Sequence, residues 1–180
     1  IKSAGASTAY VDEVSAKPLL EPLPKPGSVT NTMVKQAAGI TEWTLSNGVR
    51  VVPDPTTFKQ DEILFRAFSP GGTSLAEDKD FIAAETADQV VSLGGLGTLT
   101  AIDLSKKLAG KVAFVRPDID EMFEGLSGRA LRRDLETMFQ LLHLRFTQPR
   151  ADQSAFAAMA AQAKGLLVNQ NASPDVVFNQ

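Results

Sequence analysis

The sequence contains no cysteine and a single histidine, and these two scarcities restrict its chemistry more than any motif in it. Without cysteine there can be no disulfide framework, no thiolate zinc site and no cysteine nucleophile. With His143 alone, the chain cannot supply the histidine pair on which many hydrolytic zinc sites depend. The sequence therefore predicts no catalytic residue and no metal ligand, and it identifies no substrate-binding residue.

Long hydrophobic runs are also absent. No apolar stretch approaches the roughly 20 residues that cross a bilayer, so we expect no membrane span. Lysine and arginine number 18 against 21 acidic residues, and this net charge of -3 provides no positive field for a phosphate backbone. We therefore expect no nucleic-acid partner. The 43% apolar and 22% charged content over 180 residues is typical of a globular chain with one principal core.

The two ends of the chain predict that it is an excised segment of a longer protein. It begins at Ile1 rather than at methionine, and it stops at Gln180 within what reads as a continuing segment. We therefore expect the domain to be truncated at its C-terminus, with a catalytic domain outside the sequence given.

The composition changes along the chain and predicts two parts. Residues 1–38 are predicted to be a proline-rich inter-domain linker, because closely spaced prolines cannot sustain a helix or a central strand. These prolines are Pro18, Pro22, Pro24 and Pro26. Residues 39–180 carry alternating and helical patterns and are predicted to form one α+β domain, incomplete at its C-terminus.

The patterns in residues 39–180 predict an antiparallel-leaning β-sheet with helices packed on one face. An Asn47-Gly48 pair between two strand-like runs predicts a tight hairpin, and apolar spacing predicts a helix from Asp80 to Leu93. The other expected elements are strands at 62–68, 111–116 and 121–126, a short helix after Thr100, a long helix at 130–146 and an alanine-rich helix from Ala151. Thr100 to Asp103 resemble a capping box, so Thr100 is expected to cap the short helix.

The residues that could carry chemistry all have a simpler structural interpretation. His143 lies beside the apolar stripe of the helix predicted at 130–146, where packing or surface placement is the usual role. The candidate serine nucleophiles, Ser69, Ser74 and Ser127, do not lie in a Gly-x-Ser-x-Gly elbow. Nucleophilic catalysis is therefore not predicted.

Two glycine clusters and one acidic cluster also have a simpler structural interpretation than a binding site. The glycines at 71–72 and 94–97 lack the endings of phosphate-binding loops, which favours turns and helix caps. The acidic run at 77–80 lacks the alternating carboxylates of a calcium loop. A solvated loop followed by a helix N-cap at Asp80 is the prediction.

Several separated segments resemble, in order, a later domain of zinc peptidases of the pitrilysin/insulinase family. The segments are Leu-Ser-Asn-Gly-Val-Arg-Val-Val at 45–52, Ser-Pro-Gly-Gly-Thr-Ser at 69–74, Asp-Leu-Ser-Lys-Lys-Leu-Ala-Gly-Lys at 103–111 and Asp-Leu-Glu-Thr-Met-Phe-Gln-Leu-Leu at 134–142. The resemblance covers about residues 39–178.

The resemblance implies a chain of homologous α+β domains that enclose a chamber, with this domain forming part of one half. An early domain of such bacterial-type enzymes carries the inverted zinc motif His-x-x-Glu-His. In this chain the helix from Asp80 to Leu93 takes the place of the zinc helix, with residues 85–89 against the motif. Both histidines are missing there, so zinc is expected only in the catalytic domain of the parent chain.

The resemblance implies an accessory, zinc-free domain of a zinc metalloendopeptidase that has no enzymatic activity on its own. Such a domain would form part of a peptide-binding chamber and dock to the catalytic domain of the same chain. The expected substrate is a peptide or small protein, and the expected location is the periplasm. A structural or assembly domain of a non-proteolytic family member is the alternative.

Overall fold

The computed structural model describes residues 18–169. They fall into two compact units, Leu20–Glu62 and a larger unit that begins at Ile63. The strands are β1 (Val29–Lys35), β2 (Ile40–Leu45), β3 (Arg50–Val51), β4 (Glu62–Pro70), β5 (Ala113–Ile119) and β6 (Phe123–Leu131), and the helices are α1 (Phe81–Leu93), α2 (Ala101–Lys107), α3 (Leu135–Thr147) and α4 (Gln153–Asn169). The fold class is α+β, as the patterns predict.

The smaller unit is an antiparallel sheet of three strands in the order β1-β2-β3. The predicted hairpin joins β2 to β3, and its turn uses the left-handed φ of +84° at Gly48. The Asn47 side chain accepts a hydrogen bond of 3.2 Å from the Val49 amide. In this pair only Gly48 has a positive φ, which glycine adopts without strain, and Asn47 contributes through its side chain. The hairpin prediction is confirmed.

Strand β1 lies inside residues 1–38, the segment predicted as a linker. It pairs with β2 over its length, with Met33 opposite Glu42, and Glu42 also forms ion pairs with Lys35 at 3.3 Å and Arg50 at 3.7 Å. All four prolines of the segment precede β1. The loss of a backbone hydrogen-bond donor at proline therefore does not affect the pairing of this strand. The sequence did not predict this strand, because the whole segment was assigned as a linker from the prolines in its first part.

The larger unit contains a second sheet, in the order β4-β6-β5. Helices α1 and α3 both pack on β5, and α3 also packs on β6. The predicted arrangement of helices on one sheet face is therefore confirmed. The core between them consists of the buried side chains Val115, Leu126, Ala130, Met138, Leu141 and Leu144.

The approach of β4 to β6 depends on a glycine. A Cβ placed on Gly125 would lie 2.1 Å from the carbonyl oxygen of Ala67, so no other residue fits without movement. The Gly71 amide then donates a hydrogen bond of 3.0 Å to the carbonyl oxygen of Met122. These two contacts make β4 antiparallel to β6. The third predicted strand thus joins β5 and β6, whereas the hairpin strands form the other sheet.

Helix boundaries follow the predictions except at α3. This helix begins at Leu135, five residues after the predicted start, because β6 continues to Leu131 and pairs Ala130 with Ala113. The short helix α2 has the predicted cap, since the Thr100 hydroxyl accepts a hydrogen bond of 3.2 Å from the Asp103 amide. Among residues 18–169, no helix combines the length and apolarity needed to traverse a bilayer.

Candidate functional site

The family resemblance predicts that helix α1 takes the place of the zinc helix. The loop after β4 lies near the N-terminal end of this helix. Hydrogen bonds hold this loop against the turn between β5 and β6: the Thr73 amide donates to the Asp120 carbonyl at 2.9 Å, and the Ser74 amide donates to the Glu121 carbonyl at 2.9 Å. Loop, turn and helix together form the walls of one cleft.

This cleft has a volume of about 530 Å³. Helix α1 contributes Phe81 and Glu85, and the turn after β5 contributes two carboxylates. The full lining is Thr73, Ser74, Ala76, Asp78, Phe81, Glu85, Ile119, Asp120 and Glu121. The cleft is acidic, but within the described part of the chain no three histidine, cysteine or carboxylate side chains are grouped so that they could hold a metal ion.

The residues of α1 at the predicted motif position do not fit a zinc site. Glu85 and Gln89 stand one helical turn apart, and an amide side chain is a weak ligand for zinc compared with a neutral imidazole. Between them, the Thr86 hydroxyl donates to the Ile82 carbonyl at 2.8 Å, and the Asp88 carboxylate accepts from the backbone amide of Gln89 at 2.7 Å. These side chains hydrogen-bond within their own helix.

The structure does not bring His143 together with the serines considered beside it. His143 is half-buried on α3, on the helical side of the sheet. Ser127 lies on the other side of the same sheet, where its hydroxyl accepts a hydrogen bond of 3.2 Å from Arg116 Nε. Ser74 donates to the Gly71 carbonyl at 3.2 Å, and Ser69 is exposed near the end of β4. This placement supports the structural interpretation of these residues.

The two glycine clusters form turns, as predicted. Gly72 adopts a φ of +78°, and a Cβ there would lie 2.2 Å from the Asp120 carbonyl oxygen. Gly94 is buried, and its Cβ would lie 2.2 Å from the Arg150 carbonyl oxygen. The Gly97 amide donates to the Gln148 carbonyl at 3.0 Å. The amides of Gly71 and Gly94 likewise donate within the chain, to the carbonyl oxygens of Met122 and Val90.

Asp80 occupies the predicted N-cap position of α1, but its side chain makes no capping hydrogen bond. The preceding residues form a single 3-10 turn at Asp78–Asp80, and Lys79 Nζ lies 2.7 Å from a carboxylate oxygen of Glu77. The turn enters the helix directly, so the first residues of α1 continue an existing helical path. The solvated-loop interpretation of the acidic run agrees with this exposed turn.

Sequence reasoning missed the open face of the β4-β6-β5 sheet. Phe65 contacts Phe139 of α3 edge to face, with ring centroids 6.2 Å apart, so the odd-numbered residues of β4 face the helices. Phe68 contacts Phe123 on the opposite side of the sheet, with centroids 5.9 Å apart. The alternating pattern of each strand contained this signal, but only the strand order brings the open-face residues together.

The described residues define an α+β fold of two three-stranded sheets, one of which carries helices on one face. No family model matches the sequence. The chain is 36% identical over 73 residues to an Arabidopsis thaliana protein named zinc protease PQQL-like. The matched residues cover 41% of this chain and 8% of that protein. It is 26% identical over 119 residues to the probable zinc protease PqqL of Haemophilus influenzae, covering 66% of this chain and 13% of that protein.

Two solved structures share the fold. The periplasmic protease PqqL from Escherichia coli superposes with a TM-score of 0.78 at 21% identity, covering 96% of this chain and 19% of that one. A mutant of the ferredoxin protease FusC, in complex with Arabidopsis ferredoxin, superposes with a TM-score of 0.75 at 23% identity, covering 96% and 19%. The resemblance to zinc peptidases of the pitrilysin/insulinase family is thereby confirmed. The chain spans 8 to 13% of the curated relatives and about a fifth of each solved protease.

Proposed function

We propose that this chain is a zinc-free accessory domain of a zinc metalloendopeptidase, where it forms part of a peptide-binding chamber and docks to the catalytic domain of the same parent protein. The observation that carries the proposal is the side-chain set of α1. This helix stands where the resemblance puts the zinc helix, and it presents Glu85 and Gln89 without a histidine. The surrounding fold is that of the solved proteases.

A wall domain acts through shape, charge and restricted access, because it contributes no metal ligand. Three features of the larger unit suit that role. They are the acidic cleft beside α1, the open sheet face with its exposed aromatic rings, and the helices that pack on the other face of the sheet. A peptide substrate or small protein is the expected occupant of the chamber, and the periplasm is the proposed location. The catalytic domain is the proposed docking partner.

The experiment compares the 180-residue chain with a longer parent chain in the same buffer. Zinc is measured by mass spectrometry, and hydrolysis is measured with unstructured peptides. We expect zinc and cleavage in the longer chain only. One zinc per molecule in the 180-residue chain, lost on His143→Ala, would contradict the proposal.

The assembly alternative has a separate outcome in the same experiment. A longer chain that contains neither zinc nor activity would favour a structural domain of a non-proteolytic relative. Metal-independent cleavage by the 180-residue chain itself would instead show a catalytic site of another kind. Each result therefore selects one function.

A further inference from the structure

The open face of the β4-β6-β5 sheet, opposite α1 and α3, combines exposed aromatic rings with arginines. We call it the arginine-aromatic face. Register places Phe114 opposite Arg129 and Arg116 opposite Ser127 on neighbouring strands. Its exposed members are Leu64, Arg66, Phe68, Phe114, Arg116, Phe123 and Arg129.

The apolar part of this face is large for a solvent-exposed surface. Phe68, Phe114 and Phe123 keep 67%, 53% and 46% of their surface exposed, and Leu64 keeps 74%. Single exposed apolar side chains are ordinary, but several of them on one face of a sheet favour an interaction surface. The rings of Phe68 and Phe123 contact each other edge to face on this surface.

The charge on this face is opposite to that of the whole chain. Arg66 and Arg116 are both exposed, although the chain carries a net charge of -3. Arg116 uses one donor on Ser127, and a guanidinium has five. The carboxylates on the open side of these strands are Glu62, the first residue of β4, and the half-buried Asp118, opposite Gly125. With Arg66, Arg116 and Arg129 on the same side, the sum of the charges is +1.

We propose that the arginine-aromatic face binds acidic polypeptide segments that present carboxylates and apolar side chains on the same side. The inference rests on the proposed function, because it names the class of peptide that this wall would take. Arginine pairs with carboxylates through two parallel hydrogen bonds, and aromatic side chains are the usual anchors of binding energy. An extended segment presents side chains on one side at every second residue.

A single-stranded nucleic acid also stacks on aromatic rings and pairs with arginine. The observations favour a polypeptide, because a phosphate backbone carries a charge at every nucleotide, and this face has too few arginines to match such a density of charge. Carboxylates beside apolar side chains match a face on which arginines stand among aromatic rings.

The test uses fluorescence anisotropy of the 180-residue chain with short labelled peptides of one apolar pattern, in which each apolar residue is followed two positions later by Glu, Gln or Lys, so that both lie on the same side of an extended segment. We expect the Glu peptide to bind about tenfold more tightly than the Lys peptide, and its binding to weaken as salt is raised. The double substitution Arg66→Gln and Arg116→Gln should weaken the Glu peptide about three- to tenfold and leave the Gln peptide unchanged.

The control removes the same charge elsewhere. Arg132→Gln with Lys164→Gln changes two exposed cations, in the turn before α3 and on α4, and should leave all three affinities unchanged. Equal weakening by both double variants would overturn the inference, since net charge alone would then explain binding. Equal binding of the Glu and Gln peptides would overturn it too, while the proposed wall function would stand.

Two further outcomes separate the inference from the function on which it rests. Tighter binding of a single-stranded RNA than of the Glu peptide, lost in the Arg66 and Arg116 double variant, would replace the polypeptide with a nucleic acid. No binding of any peptide at all would contradict both the inference and the peptide-binding part of the proposed function.

Discussion

The guanidinium of Arg145, on α3, donates a hydrogen bond of 3.1 Å to the carbonyl oxygen of Val91 in the last turn of α1, and lies 3.5 Å from that of Gly95. Burial lowers the pKa of Arg145 from its ordinary value. A cation at the C-terminal end of a helix is stabilised by the helix dipole. This interaction offsets part of the free energy that burial of the charged guanidinium costs. Arg145 therefore links the two helices that cover the sheet.

Replacing Arg145 with methionine should lower the free energy of unfolding by about 1–3 kcal/mol, because the carbonyl groups of α1 lose a charged donor. Urea denaturation followed by circular dichroism measures the effect. Arg132→Met, an exposed control in the turn before α3, should change stability little. A loss of equal size in both variants would mean that the contact with Val91 contributes nothing specific.

Asp152 caps α4 and should make the stability of this region sensitive to acid. Its carboxylate accepts hydrogen bonds from the Ser154 hydroxyl, from the amides of Ser154 and Ala155 and from Arg150. The Ser154 hydroxyl, the Ala155 amide and Arg150, in that order, hold the pKa of Asp152 well below its ordinary value of 3.8. The cap stabilises fully above that value, and its contribution is lost as pH falls below it.

The matched variant is Asp152→Asn, which keeps a capping oxygen but cannot titrate. We expect the wild-type chain to have the higher urea midpoint at neutral pH, and the two midpoints to converge as pH is lowered below 3.8. Urea titrations at neutral and acidic pH measure the convergence. A constant difference between the two proteins across that range would show that Asp152 does not carry the acid response.

Gly72 and Gly110 separate the two reasons for which a glycine is needed. Both have positive φ, +78° and +79°, but a Cβ on Gly72 would lie 2.2 Å from the Asp120 carbonyl oxygen, whereas nothing lies within 4 Å of one on Gly110. Alanine at Gly110 should cost about 1 kcal/mol for the left-handed conformation alone. Alanine at Gly72 should cost more than that, because the loop must also move away from the β5–β6 turn. Equal thermal destabilisation of the two variants would contradict the close approach.

Asp134 is buried in the turn between β6 and α3, where its carboxylate accepts a hydrogen bond of 2.9 Å from the Val112 amide. Asp134→Ala should destabilise the chain by about 1–3 kcal/mol, because the hydrogen bond from the Val112 amide to a charged acceptor is lost. Asp134→Asn keeps an acceptor oxygen and should retain more of the stability. Chemical denaturation of both variants tests this, and equal losses would assign the effect to charge instead of to the hydrogen bond.

Local patterns were sufficient to predict several elements. The Asn47-Gly48 turn, the cap of α2 at Thr100 and the span of α1 after Asp80 all depend on residues close together in the chain, and each is present. The segments that resemble zinc peptidases were also visible without coordinates. The missing histidines of α1 were visible in the same way, because a ligand set is a matter of residue type.

Long-range pairing was not visible in the same way. Periodicity identified β4 as a strand, but its place beside β6 depends on the absence of a side chain at Gly125, 58 residues from Ala67 along the chain. The extension of β6 to Leu131 depends on its pairing with β5, and it sets the late start of α3. Pairing across a sheet is decided by contacts that a local window does not contain.

The sequence by itself determined the chemistry that this chain lacks, the order of its helices and its family resemblance, because residue type and short spacing carry that information. Only the tertiary structure decided that its strands form two sheets, that His143 and Ser127 lie on opposite sides of one of them, and that Arg66, Phe68 and Arg116 share an exposed face. The physical reason is that a face is made by neighbouring strands, and strand order is a property of the folded chain.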